Sequence, residues 1–575
     1  MPVFNMQGRI IANGATAEVE DKHLGRIART DYDQTDRPCQ SELKETATGK
    51  VLYRTLLKYD KFSNLEQFTE KTGDEVHTSK YTYDRDNRVT EIQYDGAAQK
   101  VAYTYDDLGR VTTRTAECGS AAGKLTSSYA YVDGAYGTNS TTPLVKKITQ
   151  NGISFEYTYD TRGNIVSEKC GNLTTTYAYD ALGQLIRVND PHENATWVYN
   201  YDRGGNITSK VKYAYTTGAL GAAVETIPYV YGDSNWKDKL TAYNGTAITY
   251  DAIGNPLNDG IWTYEWAVGR QLQKMSREGQ SLTFKYDHNG MRIQKVLEHS
   301  WYPETTNYTY HGKLLTHMEV AYTDFDEVEH TDKLHFFYDA QSRPAKVRFN
   351  GTIYTYVHNL QGDIVGILDN NSNLVGEYKY DAWGKPLSTT GSLADTLGVR
   401  NPFRYRGYVY DEESGLYYLR SRYFNPVVVR FLNADNTKYV FSNSFSHNLY
   451  SYCSNSPIQC SDPDGNAFGW LLWTAIEAVA ETAFVFAAEV VLVSVVVTGA
   501  LLAVGYGVYK AGEATGNAID TRIHNAKGHQ GNMRDTSLRD LSDDAIENEL
   551  KDPHISKERK AQLQREQKAR GLRNR

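Results

Sequence analysis

Aspartate is the residue whose spacing most invites a chemical reading. Asp106, Asp160, Asp180, Asp202, Asp251, Asp287 and Asp381 each follow a tyrosine, and each has a glycine three positions on. Carboxylates act as general acids or bases when their surroundings set their protonation. The regularity argues for another role. An Asp after a strand residue bonds its own backbone two residues on, and the Gly supplies the positive φ of a turn. These residues are therefore read as turn formers. A second group, His524, His529, His554, Asp543, Asp544 and Glu547, lies near the C-terminus. No HNH spacing, HxE…CxxC or nucleophile elbow joins its members, so no active site is assigned there. The five cysteines, Cys39, Cys118, Cys170, Cys453 and Cys460, include no CxxC, and an odd count argues against a full disulfide framework. Cys453 and Cys460 are close enough in sequence to bridge, but read as two free thiols. No cofactor or metal set emerges.

The elements that place these aspartates repeat. The pattern is Tyr-x-Tyr-Asp-x-x-Gly-Asn/Arg-apolar. Copies begin at Tyr103, Tyr157, Tyr177, Tyr199 and Tyr378, with shorter ones at Tyr250 and Tyr286 and degenerate ones at Tyr83-Asp84, Tyr264-Glu265-Trp266, Tyr310 and Tyr338-Asp339. Tyr-x-Tyr puts two rings on one face of a strand. The Asp ends that strand, the Gly turns, and the next apolar residue starts its partner. One hairpin is marginal in water, whereas stacked neighbours bury a shared face. The expected fold is mainly β, a long twisted sheet of stacked hairpins coiling on itself, with helix confined to the region after 465. Composition agrees. Tyr supplies 45 residues against 17 Phe and 8 Trp, and Tyr suits sheets that are apolar on one side and wet on the other. The 575 residues are too aromatic for a disordered chain, and a net charge of −8 gives no global basic field for nucleic acid. Met1–Asn13 lacks a basic region followed by an apolar run, so no signal peptide is expected.

These repeats resemble the YD repeats of RHS proteins, bacterial relatives of the teneurin YD shell. The resemblance covers roughly 50 to 465 and implies a spiralling β-shell around a cavity. Residues 401–465 resemble the RHS-repeat-associated core domain: Asn401-Pro-Phe-Arg-Tyr-Arg-Gly-Tyr-Val-Tyr-Asp411, Gly415-Leu-Tyr-Tyr-Leu-Arg420, Arg430-Phe-Leu-Asn-Ala-Asp435 and Asp462-Pro-Asp-Gly465. In that family the core plugs one end of the shell, and in many members it is an aspartyl autoprotease that cuts just after the closing Asp-Pro-x-Gly. Such cleavage needs paired carboxylates, one protonated and one ionised, activating a water. The resemblance places Asp435 at the family's acidic position after the Arg-Phe element, and Asp462 and Asp464, nearby at the end of the core, are the candidates for the second carboxylate. Arg404, Arg406, Arg420, Arg422 and Arg430 are available either to pair these acids or to act as structural staples. The chain departs from the family pattern at Asn436, where Pro is usual, and at Asn466, where an apolar residue is usual.

The expected organisation is an N-terminal segment at 1–50, the repeat shell at 51–400, the core at 401–465, a hydrophobic helical segment at 466–509 and a variable region at 510–575. The run 490–509 carries no charge and meets the length criterion for a membrane span. A hydrophobic helix packed against or inside the shell is the other reading. Glu477, Glu481 and Glu489 fall at helical spacings. Residues 556–575 form a basic helix, a candidate grip for phosphates or a solvated face.

By the resemblance, the leading function is the shell of a bacterial polymorphic toxin that encloses and delivers its own C-terminal region. Enzyme activity stays open: self-cleavage, and a C-terminal toxin activity of unassigned type. The implied partners are the chain's own C-terminal segment as cargo, an immunity protein, a target-cell membrane at 468–509, nucleic acid at 556–575 and a cell-surface glycan. The expected location is secreted or at the cell surface. The alternative is a carbohydrate-binding adhesion protein of the cell surface or wall.

Overall fold

The computed structural model describes residues 16–22, 24–134, 140–299, 303–435, 448–466 and 469–470, all within the first of two compact units, Met1–Val496. A 20-stranded sheet runs from Thr16 to Ala247 and a 14-stranded sheet from Thr249 to Thr390. In both, each strand pairs antiparallel with its neighbour in sequence, so the sheets are uninterrupted meanders of hairpins. A four-stranded sheet over Val409–Phe431 follows. Among the described residues strand pairing is already present at Thr16, well before residue 51. The only helical turns among the described residues are short: Ala394–Gly398, Tyr405–Gly407 and Cys453–Asn455.

One unit shows why the repeat folds this way. Strand Ile153–Tyr159 ends at Asp160, whose Oδ1 accepts the backbone N–H of Arg162 at 2.8 Å and of Asn164 at 2.9 Å. Oδ2 accepts from the Asn164 side chain at 2.8 Å. Gly163 sits at φ +83°, where any Cβ is strained. The chain then re-enters the sheet at Ile165, opposite Tyr159, with a register slip of the β-bulge kind between Thr158 and Tyr159.

The two tyrosines of a unit differ in what they do. The first is buried in the core, as at Tyr103, Tyr157 and Tyr199. The second reaches back across the sheet and donates its hydroxyl to the carbonyl of the apolar residue that opened the preceding unit. Tyr159 donates to Val145 at 2.7 Å, Tyr179 to Ile165 at 2.8 Å, Tyr201 to Leu185 at 2.6 Å and Tyr286 to Leu272 at 2.7 Å. In the degenerate copy the Trp266 indole N–H donates to Pro256 at 2.7 Å. Each of these hairpins is thus stapled to its predecessor by a bond worth about 1 kcal/mol.

The two sheets meet and the core ties them together. Tyr94 of the first sheet donates its hydroxyl to the Tyr338 carbonyl of the second at 2.8 Å. The Lys346 ammonium donates back to Gln99 Oε1 at 3.0 Å and the Glu117 carbonyl at 2.7 Å. From the core, Asp411 accepts both Arg292 guanidinium ends at 2.5 and 2.9 Å, a fully buried bidentate pair with the second sheet. Asn455 donates to Gln184 Oε1 at 2.9 Å and the Gly205 carbonyl at 2.7 Å, gripping the first. Tyr405, Tyr417, Phe424 and Tyr452 of the core are among the largest fully buried side chains, packed with Trp383.

Candidate active site at the end of the core

Arg422 opens strand Arg422–Asn425 and lies over the Phe431 ring, 3.6 Å from its centroid. Its Nη2 meets Asp435 Oδ2 at 2.9 Å and Asp462 Oδ2 at 3.5 Å, so two carboxylates share one guanidinium nitrogen. Nη1 donates to the Leu449 carbonyl at 3.1 Å. Nε donates to the carbonyl oxygen of Gly465. The far side of that peptide is also held, because the Asn466 N–H donates to Asp462 Oδ1 at 3.1 Å. The Gly465–Asn466 amide therefore has an arginine on its oxygen and a carboxyl on its nitrogen.

Asp462 is 3% exposed, and its own N–H donates to the Tyr408 hydroxyl at 2.7 Å. Burial pushes its carboxyl up to about 6. The Arg422 guanidinium opposes that shift, while the charges of Asp464 and Asp435 add to it. A carboxyl in this range holds its proton in mildly acidic water, as a general acid must. Gly465 has φ +69°, and a Cβ there would lie 2.7 Å from the Leu419 carbonyl and 2.8 Å from Ser421 Oγ. Only glycine fits this turn.

Of the three candidate carboxylates, Asp435 and Asp462 converge and Asp464 turns away. Its side chain meets Lys313 Nζ at 3.1 Å, and its carbonyl accepts from Ser421 Oγ at 2.6 Å. Of the five arginines, only Arg422 meets a candidate acid. Arg404 pairs Glu412 at 3.0 Å, Arg406 pairs Asp363 at 2.7 Å, and Arg430 donates to Tyr231 at 2.9 Å. Arg420 makes no ion pair among the described residues. Arg422 itself carried no mark in the sequence beyond its place among five similar residues.

The repeat aspartates are the turn formers their spacing implies, and all five cysteines are free. Among the described residues no group of three or more His, Cys, Asp or Glu is arranged to hold a metal, and no helix is long and apolar enough to cross a membrane. The C-terminal helical segment, the span 490–509, the basic stretch 556–575, and His524, His529, His554, Asp543, Asp544 and Glu547 lie outside the described residues.

The teneurin YD-shell family profile matches residues 125–458. A tRNA3(Ser)-specific nuclease, WapA, of Bacillus spizizenii (strain DSM 15029 / JCM 12233 / NBRC 101239 / NRRL B-23049 / TU-B-10) is 31% identical over 72% of this chain. A double-stranded DNA deaminase toxin A of Burkholderia cenocepacia (strain H111) is 24% identical over 64% of it. The chain spans 16% of the length of the first and 26% of the second. The fold also matches the solved Photorhabdus luminescens Tc holotoxin pore, with TM-score 0.60 and 18% identity over 80% of this chain and 24% of that one.

Proposed function

This chain belongs to the teneurin YD-shell family, and from that membership we propose that it is the shell of a polymorphic toxin that encloses its own C-terminal region and cuts the chain after Gly465. The observation that carries this reading is the grip on the Gly465–Asn466 amide, with Arg422 Nε on its oxygen and Asp462 on its nitrogen. The relatives support it from another side. One is a tRNA nuclease and another a DNA deaminase toxin, which suits a common shell carrying exchangeable ends.

The chemistry is hydrolysis of one amide. Asp435, paired with Arg422 at 2.9 Å, takes a proton from a water, whose oxygen attacks the Gly465 carbonyl carbon. Arg422 stabilises the negative charge that develops on the carbonyl oxygen. The attack makes the carbonyl carbon tetrahedral and frees the Asn466 nitrogen lone pair, and the Asp462 carboxyl gives its proton to that departing nitrogen. The carbon–nitrogen bond breaks, leaving a carboxylate on Gly465 and an amine on Asn466. The region from 466 on then stays with the shell until delivery. Secretion, an immunity protein and contact with a target-cell surface belong to the same reading.

Limited proteolysis of the purified full chain tests it. A C-terminal piece that starts at Asn466, co-elutes with the shell under native conditions and resists protease until the shell is unfolded is the expected result. A C-terminal region digested as fast as a free peptide would exclude enclosure.

A further inference from the structure

A cavity of about 550 Å³ lies where strands of the first sheet, strands of the second and turns of the core face one another. That volume suits a small ligand or a few side chains. Its charge does not balance. Arg114 Nε stands 3.8 Å from Asp339 Oδ2, and Arg343 Nη2 stands 2.9 Å from the same oxygen. Two guanidinium groups therefore share one fully buried carboxylate. Arg420, in the turn between two core strands, lines the same cavity and has no ion pair among the described residues. Arg406 is neutralised by Asp363, and Lys313 by Asp464.

The hydrogen bonding is incomplete at the same place. Arg114 is 4% exposed, yet its Nε and Nη2 have no hydrogen-bond partner among the described residues. His358 Nε2, from another cavity-lining residue, is likewise buried without one. A buried guanidinium with unmatched donors is costly unless an acceptor of opposite charge completes it. The tyrosine rings of Tyr103, Tyr129 and Tyr310 add flat apolar walls.

We propose that this cavity is an anion-binding site, taking a carboxylate or phosphate group on Arg114 and Arg420. Two sources supply such a group. One is a free phosphate-bearing molecule. The other is the chain's own acidic stretch at Glu477, Glu481 and Glu489, which follows Asp464 at the cavity wall. The site is separate from the Arg422 centre, and its existence does not depend on self-cleavage.

Calorimetric titration of the full chain with inorganic pyrophosphate at low salt tests the site. The chain and a Glu477→Gln/Glu481→Gln/Glu489→Gln variant are titrated side by side. Saturable binding that weakens at least tenfold in Arg420→Asn and in Arg114→Gln is expected. Arg420 has φ +61°, which Asn tolerates, so this variant carries the test even if Arg114→Gln fails to fold. At least tenfold tighter binding in the triple variant than in the wild type identifies the acidic stretch as the resident ligand. Equal affinity in the two identifies a free anion. Failure of both chains to bind, or binding unchanged in Arg420→Asn and Arg114→Gln, would overturn the proposal.

Discussion

The turn at Asp160 and the turn at Asp462 share an Asp, a Gly and an Asn at the same three positions. Asp160-Thr-Arg-Gly163-Asn164 belongs to the repeat shell, and Asp462-Pro-Asp-Gly465-Asn466 closes the core. In both, the Asp Oδ1 accepts the N–H four residues on, at 2.9 Å in the repeat and 3.1 Å in the core. In both, the Gly takes positive φ, +83° and +69°. The difference lies in what meets Oδ2. In the repeat it is the Asn164 side chain and, at 3.9 Å, the exposed Arg162 of the same turn; in the core it is the buried Arg422 from another strand, which also holds Asp435. The carboxyls move in opposite directions. Burial works to raise Asp160, but hydrogen bonds from Asn164 and Arg162 bring it below the usual carboxylate range. Burial lifts Asp462 to about 6. A structural turn becomes a candidate catalytic one by being buried against a second carboxylate and an arginine.

The sharpest way to break this comparison is to make the same change in both turns. Asp462→Asn, or Asp435→Asn, should slow cleavage at least a hundredfold, in line with the loss of a general acid or base. Intact mass after timed incubation reads it. Asp160→Asn should leave cleavage unchanged.

A second variant separates the core's role as a plug from its chemistry. Arg292→Met removes the bidentate partner of buried Asp411 and leaves it only Lys295 at 3.4 Å, and breaking such a buried pair costs up to about 3–5 kcal/mol. Urea unfolding should show that loss.

The pH dependence follows from the raised carboxyl. Asp462 acts in its protonated form, so the cleavage rate should fall about tenfold per unit as pH rises beyond about 6. The stability sign agrees. A carboxyl raised from 3.8 in the unfolded chain to about 6 in the fold stabilises fully below the lower value. That contribution is lost as pH climbs through the upper one. Unfolding midpoints between pH 4 and 7 should therefore decline less in Asp462→Asn than in the wild type.

The smallest effect belongs to the shell. Tyr201→Phe removes one hydroxyl from the Leu185 carbonyl and should cost about 1 kcal/mol without touching cleavage.

The repeats were legible because their logic is local. Asp, Gly and the flanking tyrosines settle a turn within five residues. Units lacking the glycine were harder to see. Tyr32-Asp33 and Tyr59-Asp60 make the same turn with Asp36 at φ +61° and Ser63 at φ +71° in the glycine's place. The hydroxyl staples were not legible at all. Their acceptors are backbone carbonyls some 10 to 24 residues earlier, which no side chain marks. The same limit applies to the site. Asp462 and Asp464 are alike in type and two positions apart, and only the path of the turn sends one to Arg422 and the other to Lys313. Arg422 differs from its four neighbours by what the folded strand brings to it.

Intact-mass spectrometry with N-terminal sequencing of the fragments, run on wild type, Asp160→Asn and Asp462→Asn, tests the central claim most directly. The account predicts a new N-terminus at Asn466 in the first two and a single uncut chain in the third. A wild-type chain that stays whole, or an Asp462→Asn chain still cut before Asn466, would contradict it.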